Sequence, residues 1–182
     1  MLIIKNCRLM DMVSINEEIM DILIDNEGKI KAIEKKINIK DYPNAEIIDA
    51  KERLVTPGFI EPHCHMGVYE TGIREGMDGN ESTNPATPGL RAIDAIDPMD
   101  SAYDVAIRHG VTTVVAGPGS ANIIGGTFAA MKTHGNILDK FLINKEVCMK
   151  MALGENPKSV YHGKSQTRVT RMATAAIIRE QL

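Results

Sequence analysis

The sequence predicts an α/β protein in two parts, a β-rich segment over residues 1–57 and alternating strands and helices over residues 58–182. Residues 1–57 contain short apolar runs separated by turns, and no helix-length pattern interrupts them. The character of the chain changes at Pro57-Gly58, after which strand-like and helix-like stretches alternate as they do in βαβ units. With 43% hydrophobic and 25% charged residues, the composition is typical of a soluble globular protein.

The first part is predicted to consist of short strands. They are expected at residues 2–9, 19–24 and 30–33, with a further strand pair at 47–48 and 53–55. Gly28 supplies the turn before the third strand, because glycine adopts positive φ at no steric cost. Lys29 and Lys31 alternate with apolar residues, so this hairpin should keep one face in water.

The second part is predicted to contain longer elements. Strands are expected at residues 59–64, 111–116, 123–131 and 147–153, and a helix at 168–182. The β-branched run 111–116 is typical of a strand buried in a parallel sheet. Residues 66–97, rich in glycine, proline and charge, are predicted to form a long loop.

Another helix is predicted to follow that loop. Asp97 is a plausible N-cap, Pro98 fits the first turn, and Gly110 ends the helix. Its apolar face is expected to comprise Ala102, Val105, Ala106 and His109.

Composition excludes several classes of protein. The net charge of −3 and a pI of about 6.0 provide no basic surface, so we expect no nucleic-acid partner. No apolar run approaches the ~20 residues of a membrane span, so we expect no membrane partner. The three cysteines are widely spaced and odd in number, which favours free thiols and a cytoplasmic location.

The sharpest chemical signal is the pair His63 and His65 at the end of a predicted strand. Side chains at i and i+2 of a strand point to the same face, so both imidazoles could reach one metal ion. Cys64 would point the opposite way and is not expected to be a ligand. A His-X-His sequence also occurs by chance without binding anything, so its surroundings decide the interpretation.

Those surroundings are the sequence VTPGFIEPHCHMG over residues 55–67, which resembles the signature of the metal-dependent amidohydrolase superfamily. The later chain resembles the imidazolonepropionase-related branch at residues 90–96, 110–120, 125–126 and 149–157. Glu61 stands where aspartate is usual, a change that should not disturb metal ligation. The resemblance implies a partial TIM-type (β/α) barrel over residues 58–182, preceded by a small β-sandwich-like segment over 1–57.

The resemblance also implies a divalent metal, with zinc favoured, as one or two ions. A lysine carboxylated by CO₂ bridges the metals in many members, and Lys150 is the candidate; a glutamate takes this role in others, and Glu155 is the rival. An ordinary strand-end lysine and a helix-capping glutamate are the plain alternatives. The implied reaction is hydrolysis of a C–N bond in a small-molecule amide, cyclic amide or dipeptide by metal-activated water.

The other histidines and the turn over residues 117–120 are better explained by structural roles than by binding. His109 fits a helix C-terminus, where the helix dipole favours a cation. His134 suggests a surface turn, and His162 lies in a polar stretch. Residues 117–120 could offer backbone N–H groups to an anion, which would make the protein an anion or nucleotide binder, but a plain β-to-α turn is favoured.

The implied site needs more than this sequence contains. A complete barrel takes ~250 residues, and the superfamily's general-base aspartate at the last strand is expected beyond residue 182. We therefore expect a truncated product, an isolated domain or one part of a split protein, inactive alone. Its partners would be a second copy or a complementing C-terminal half. The alternative is a non-catalytic half-barrel module for interaction or complementation, with a vestigial metal site.

Overall fold

The computed structural model describes residues 1–13, 18–69, 76–135, 137–164 and 170–181, apart from the side chains of residues 138 and 139. The chain divides into two compact units, Met1–Pro57 and Gly58–Leu182. In the described ranges, no helix is both long enough and apolar enough to span a membrane.

Where it is described, the first unit is a single mixed sheet of five strands. These are β1 (Leu2–Leu9), β2 (Ile19–Ile24), β3 (Ile30–Glu34), β4 (Glu46–Asp49) and β5 (Leu54–Val55). The sheet order is β3-β2-β1-β4, and β5 also pairs with β1. The β2–β3 hairpin is confirmed, but the predicted pairing of 47–48 with 53–55 is wrong, because β4 and β5 each lie parallel to β1. The sandwich-like arrangement stays a prediction.

Both faces of this sheet bury aliphatic side chains. Ile3, Leu23 and Ile37 form one cluster, and a second cluster contains Cys7. The carboxylate of Asp21, which is only 3% exposed, accepts hydrogen bonds from the backbone N–H groups of Asn6 (2.9 Å) and Ile37 (3.0 Å). These bonds offset the cost of burying the carboxylate.

The described residues of the second unit form a four-stranded sheet and four α-helices. The strands are β6 (Phe59–Cys64), β7 (Val111–Ala116), β8 (Ile124–Lys132) and β9 (Leu142–Met151). The helices are α1 (Ser101–Arg108), α2 (Leu138–Phe141), α3 (Glu155–Gly163) and α4 (Arg171–Gln181). The sheet order is β6-β7-β8-β9.

This sheet corrects the expected alternation of parallel strands and helices. β6 and β7 are parallel and joined through α1, whereas β7, β8 and β9 are successively antiparallel. The connection over residues 117–123 is too short for a crossover helix, since a parallel connection takes a dozen or more residues. The unit is therefore mixed α/β and rich in sheet, and its described strands do not close into a barrel.

Helix α1 begins later than predicted. Its N-cap is Asp100, whose carboxylate accepts from the N–H groups of Ala102 (2.9 Å) and Gly67 (2.8 Å), while Asp97 caps a preceding turn. Gly110 follows the helix with φ of +83°, as expected of a helix-ending glycine. The predicted apolar face is wrong in part, because Val105 is 58% exposed.

One face of the second sheet forms the main core. The buried side chains are Val68, Ala92, Ile96, Tyr103, Val114, Ala116, Ala129, Met131 and Phe141. Three of them lie in the segment 66–97, which also contains a 3-10 helix at Ala92–Asp94. Where it is described, the expected long loop is therefore packed against the sheet. Its residues 70–75, Gly72 among them, lie outside the described residues.

Candidate metal centre

The two histidines lie together at the end of β6. The centroids of the His63 and His65 rings are 5.3 Å apart, with an angle of 76° between their planes. Cys64 packs instead against the main core, as predicted, and burial raises the pKa of its thiol. The alternation of the strand therefore separates the two imidazoles from the thiol.

The His65 ring is oriented by the backbone of a neighbouring turn. Its Nδ1 lies 2.7 Å from the carbonyl oxygen of Gly117, immediately after β7. A carbonyl oxygen can only accept, so Nδ1 carries the proton, and in the neutral ring the lone pair is on Nε2. Metal-binding histidines commonly have one ring nitrogen held in this way.

The His63 ring lies beside a lysine from the other edge of the sheet. Nε2 of His63 is 3.4 Å from Nζ of Lys150, near the end of β9. The backbone N–H of His63 donates to the carboxylate of Glu61 at 3.0 Å. The Glu61 side chain thus bonds to the backbone of β6 at His63.

Phe128 forms an aromatic surface beneath these groups. Its ring centroid lies 5.5 Å from that of His63 and 6.4 Å from that of His65, and Nζ of Lys150 is 5.9 Å from it. A Cβ atom at residue 117 would overlap the Phe128 ring, so the turn can approach this closely only with glycine. The two imidazoles and the amine therefore lie around one buried aromatic ring.

An open cleft of about 480 Å³ gives access to His65. It is lined by uncharged polar and small side chains: Tyr69, Asn80, Gly119, Ser120, Ala121, Asn156 and Val160. The Tyr69 ring meets His65 edge-on, with centroids 5.6 Å apart. The cleft is wide enough to admit an ion and a small polar molecule.

The two rival ligands are placed differently. Glu155 is exposed at the first residue of α3 and forms an ion pair with Lys158 at 2.7 Å. Lys150 contacts His63, so the structure brings the lysine rather than the glutamate to the histidine pair. In the part of the chain that is described, no group of three or more His, Cys, Asp or Glu side chains could hold a metal ion.

The other histidines lie outside this cluster. His109 caps α1, with Nδ1 2.8 Å from the carbonyl oxygen of Val105, and His134 and His162 are exposed. The anion-binding alternative loses support because two N–H groups of the turn are already used. Gly117 donates to the Cys64 carbonyl at 3.2 Å, and Gly119 donates to Gly79 at 2.6 Å.

Sequence reasoning missed Phe128, Tyr69 and Asn80. Phe128 comes to the site through the antiparallel pairing of β8 with β9, which the expected parallel sheet did not include. Tyr69 and Asn80 lie in the segment 66–97, which was interpreted as a loop. The available signal was glycine: Gly79 in this segment allows close approach to Tyr69, and Gly119 after β7 allows close approach to Asn80.

Comparison with known proteins finds no matching family model. Among curated proteins, "Amidohydrolase tasK" from Hapsidospora irregularis is 34% identical over 168 residues, covering 84% of this chain and 17% of that protein. "Dihydroorotase" from Elusimicrobium minutum (strain Pei191) is 27% identical over 196 residues, covering 99% of this chain and 44% of that protein. "Dihydroorotase" from Aquifex aeolicus (strain VF5) is 49% identical over 79 residues, covering 41% of this chain and 18% of that protein.

A solved structure extends the similarity to the fold. The amidohydrolase from Thermotoga maritima MSB8 matches with a TM-score of 0.88 and 38% sequence identity. The match covers 99% of this chain and 46% of that one. The chain spans less than half the length of this protein and of the three relatives above.

Proposed function

We propose that this chain carries part of the metal site of a metal-dependent amidohydrolase. The relatives and the solved structure support membership of the amidohydrolase superfamily. One observation carries the proposal. The rings of His63 and His65 share one side of β6, and the Lys150 amine lies 3.4 Å from His63. The reaction would be hydrolysis of a C–N bond in a small-molecule amide, cyclic amide or dipeptide.

The donor set fits a divalent metal, and zinc is the proposed ion. Neutral imidazole is a preferred zinc ligand, and the Gly117 carbonyl holds His65 in the tautomer that leaves Nε2 free. As an ammonium group Lys150 would repel a cation, so its part in the site requires loss of that charge, by deprotonation or carboxylation. A bound metal would supply Lewis-acid activation of water and of an amide carbonyl. We propose that the site holds one or two such ions.

The chain's own residues would orient and shield rather than complete the reaction. Phe128 excludes water from one side of the histidine pair, and the polar cleft beside His65 would receive the substrate. No described Asp or Glu joins the two histidines in a three-residue cluster. We therefore propose that the proton-accepting carboxylate lies outside the described residues, and that this chain binds metal without measurable turnover.

The substrate class depends on the branch of the superfamily to which the chain belongs, and two branches are candidates. The resemblance at residues 90–96, 110–120, 125–126 and 149–157 supports the imidazolonepropionase-related branch, whereas several relatives are named dihydroorotase. Both possibilities call for a small ring containing an amide. The cytoplasmic location is proposed on the three free thiols, which suit a reducing compartment.

Metal binding tests the proposal. Calorimetric titration of the metal-free chain with Zn²⁺ or Mn²⁺, followed by metal analysis, should give one or two ions per chain. The double variant His63→Ala/His65→Ala should lose this binding, because it removes both imidazoles. His162→Ala is the matched control, since His162 is an exposed histidine on α3. A folded wild-type chain that binds no metal would overturn the proposal.

A second candidate function is a non-catalytic interaction or complementation module. It is favoured by the edges of the second sheet, where β6 and β9 expose Phe59, Ile60, Ile143 and Val147. Edge strands with exposed apolar side chains favour pairing with further polypeptide, either a second copy or a complementing half. A metal-free chain that associates through these edges would support this function over hydrolysis.

A further inference from the structure

We propose that Asn80 is a positioning residue that holds the His65 imidazole in its metal-binding orientation; this rests on the proposed function. Asn80 acts on the ring through other groups. These are the turn over residues 117–121 and the side chain of Tyr69, both of which meet His65.

The turn supplies the carbonyl that orients His65, so its own anchoring matters. Three of its N–H groups are bonded outside the turn: Gly117 to the Cys64 carbonyl at 3.2 Å, Gly119 to the Gly79 carbonyl at 2.6 Å, and Ala121 to Oδ1 of Asn80 at 3.0 Å. Two of these anchors come from adjacent residues, 79 and 80. A Cβ atom at residue 119 would lie 2.6 Å from the Asn80 amide, so the two segments are in direct contact.

The same amide restrains the other side of the ring. Nδ2 of Asn80 donates to the Tyr69 hydroxyl at 3.2 Å, and the Tyr69 ring meets His65 edge-on at 86°. The oxygen of the Asn80 amide thus holds the turn that carries the Gly117 carbonyl, and its nitrogen holds the Tyr69 ring. These two groups meet His65. Alanine at this position could make neither contact, because its side chain carries no donor and no acceptor.

Substitution of Asn80 should therefore loosen His65 without removing a ligand. In Asn80→Ala, both contacts are lost, and we expect about a tenfold weaker Zn²⁺ affinity, the low end of what outer ligand-orienting groups contribute. Tyr69→Phe keeps the ring and loses the hydroxyl, so its effect should be smaller. The matched control is Asn84→Ala, because the Asn84 side chain also accepts from a backbone N–H, but from that of Ala86 (3.0 Å) and not from one in the turn.

A second measurement separates this inference from the proposed function. Long-range ¹H–¹⁵N spectra of the metal-free chain at fixed pH report which ring nitrogen of His65 is protonated. We expect the Nδ1–H form in the wild type and in Asn84→Ala, and tautomer averaging in Asn80→Ala. An unchanged His65 tautomer together with unchanged Zn²⁺ affinity in Asn80→Ala would overturn the positioning role. If the wild type binds no Zn²⁺, the metal proposal fails, and the spectra alone decide whether Asn80 positions His65.

Discussion

Nδ1 of His65 and the carbonyl oxygen of Gly117 are 2.7 Å apart, which links the end of β6 to the end of β7. Parallel neighbours end at the same edge of a sheet, so the backbone that leaves β7 lies beside the histidine that ends β6. The carbonyl determines the tautomer of the ring and so determines which nitrogen can face a metal ion. The geometry of the proposed ligand therefore depends on a residue that carries no side chain.

Gly117→Ala is expected to disturb this relationship. The added methyl group would overlap the Phe128 ring, which is almost fully buried, so the turn must shift. We expect the free energy of unfolding to fall by about 1–3 kcal/mol, as for other overpacked sites. Urea unfolding followed by circular dichroism measures this change.

Gly89→Ala is the control for that substitution. A Cβ atom at residue 89 meets nothing within 4 Å, so the change should stay within about 0.5 kcal/mol. Equal losses of stability in the two variants would show that the contact with Phe128 does not limit the position of the turn.

Substitutions of Lys150 and Glu155 are expected to differ in their effect on metal affinity. Lys150→Met keeps an unbranched side chain beside Gly125 but removes the amine next to His63, so Zn²⁺ affinity should fall about tenfold or more. Glu155→Gln removes an exposed partner of Lys158 and should leave the affinity unchanged. Calorimetric titration of the two variants side by side makes the comparison.

The reverse result would also be informative. If Lys150 stays an ammonium group, its loss removes a nearby positive charge, and Lys150→Met would bind Zn²⁺ more tightly than the wild type. Weaker binding by Glu155→Gln alone would favour the glutamate as the ligand.

The sequence predicted most strands and the histidine pair, because both depend on local periodicity. β1, β2, β6 and β7 have the bounds expected from their apolar runs, and the i, i+2 spacing placed the two rings on one side of β6. The proximity of Lys150 to His63 rested on family resemblance, since the two residues are far apart in the chain.

Non-local pairing accounts for what could not be predicted. Strand β9 begins at Leu142 rather than Val147, because pairing with β8 extends it through the polar residues Asn144, Lys145 and Glu146. The start of α1 was misplaced because Asp97 and Asp100 both suit an N-cap. Asp100, the residue that caps the helix, also accepts a hydrogen bond from the Gly67 N–H. That contact comes from a distant segment of the chain, so local sequence does not reveal it.

The three thiols should react at different rates. Cys148 is exposed on β9, whereas burial is the largest cause that raises the pKa of Cys7 and of Cys64. Because the thiolate is the reactive form, an aromatic disulfide reagent at pH 8 should modify Cys148 first. Cys148→Ser should remove the fast phase of the absorbance trace; persistence of that phase would mean that a buried thiol is reactive.

The edge of β9 is expected to promote association between copies of the chain. Val147 and Ile143 are exposed apolar residues on an edge strand, a combination that favours strand pairing. Sedimentation velocity should show a larger species that grows with concentration, and Val147→Lys should shift it toward the monomer. Val105→Lys is the matched control, because Val105 is also an exposed valine (58%, against 45% for Val147) but lies on α1. Equal effects of the two lysines would mean that net charge, rather than the β9 edge, controls association.

The buried hydroxyl of Tyr103 should make the folded protein less stable at alkaline pH. Burial is the largest cause that raises the pKa of its hydroxyl above the ordinary value of 10.0. In the unfolded chain the phenol ionises near pH 10, while in the folded protein it stays protonated. The stabilisation is therefore fully present below pH 10 and is lost as the pH rises further, because ionisation then favours the unfolded chain. Tyr103→Phe should flatten this decline in urea unfolding between pH 9 and 11, at a cost of about 1 kcal/mol at neutral pH for the hydrogen bond to the Met66 carbonyl. If the variant and the wild type lose stability in parallel above pH 10, another group controls the alkaline transition.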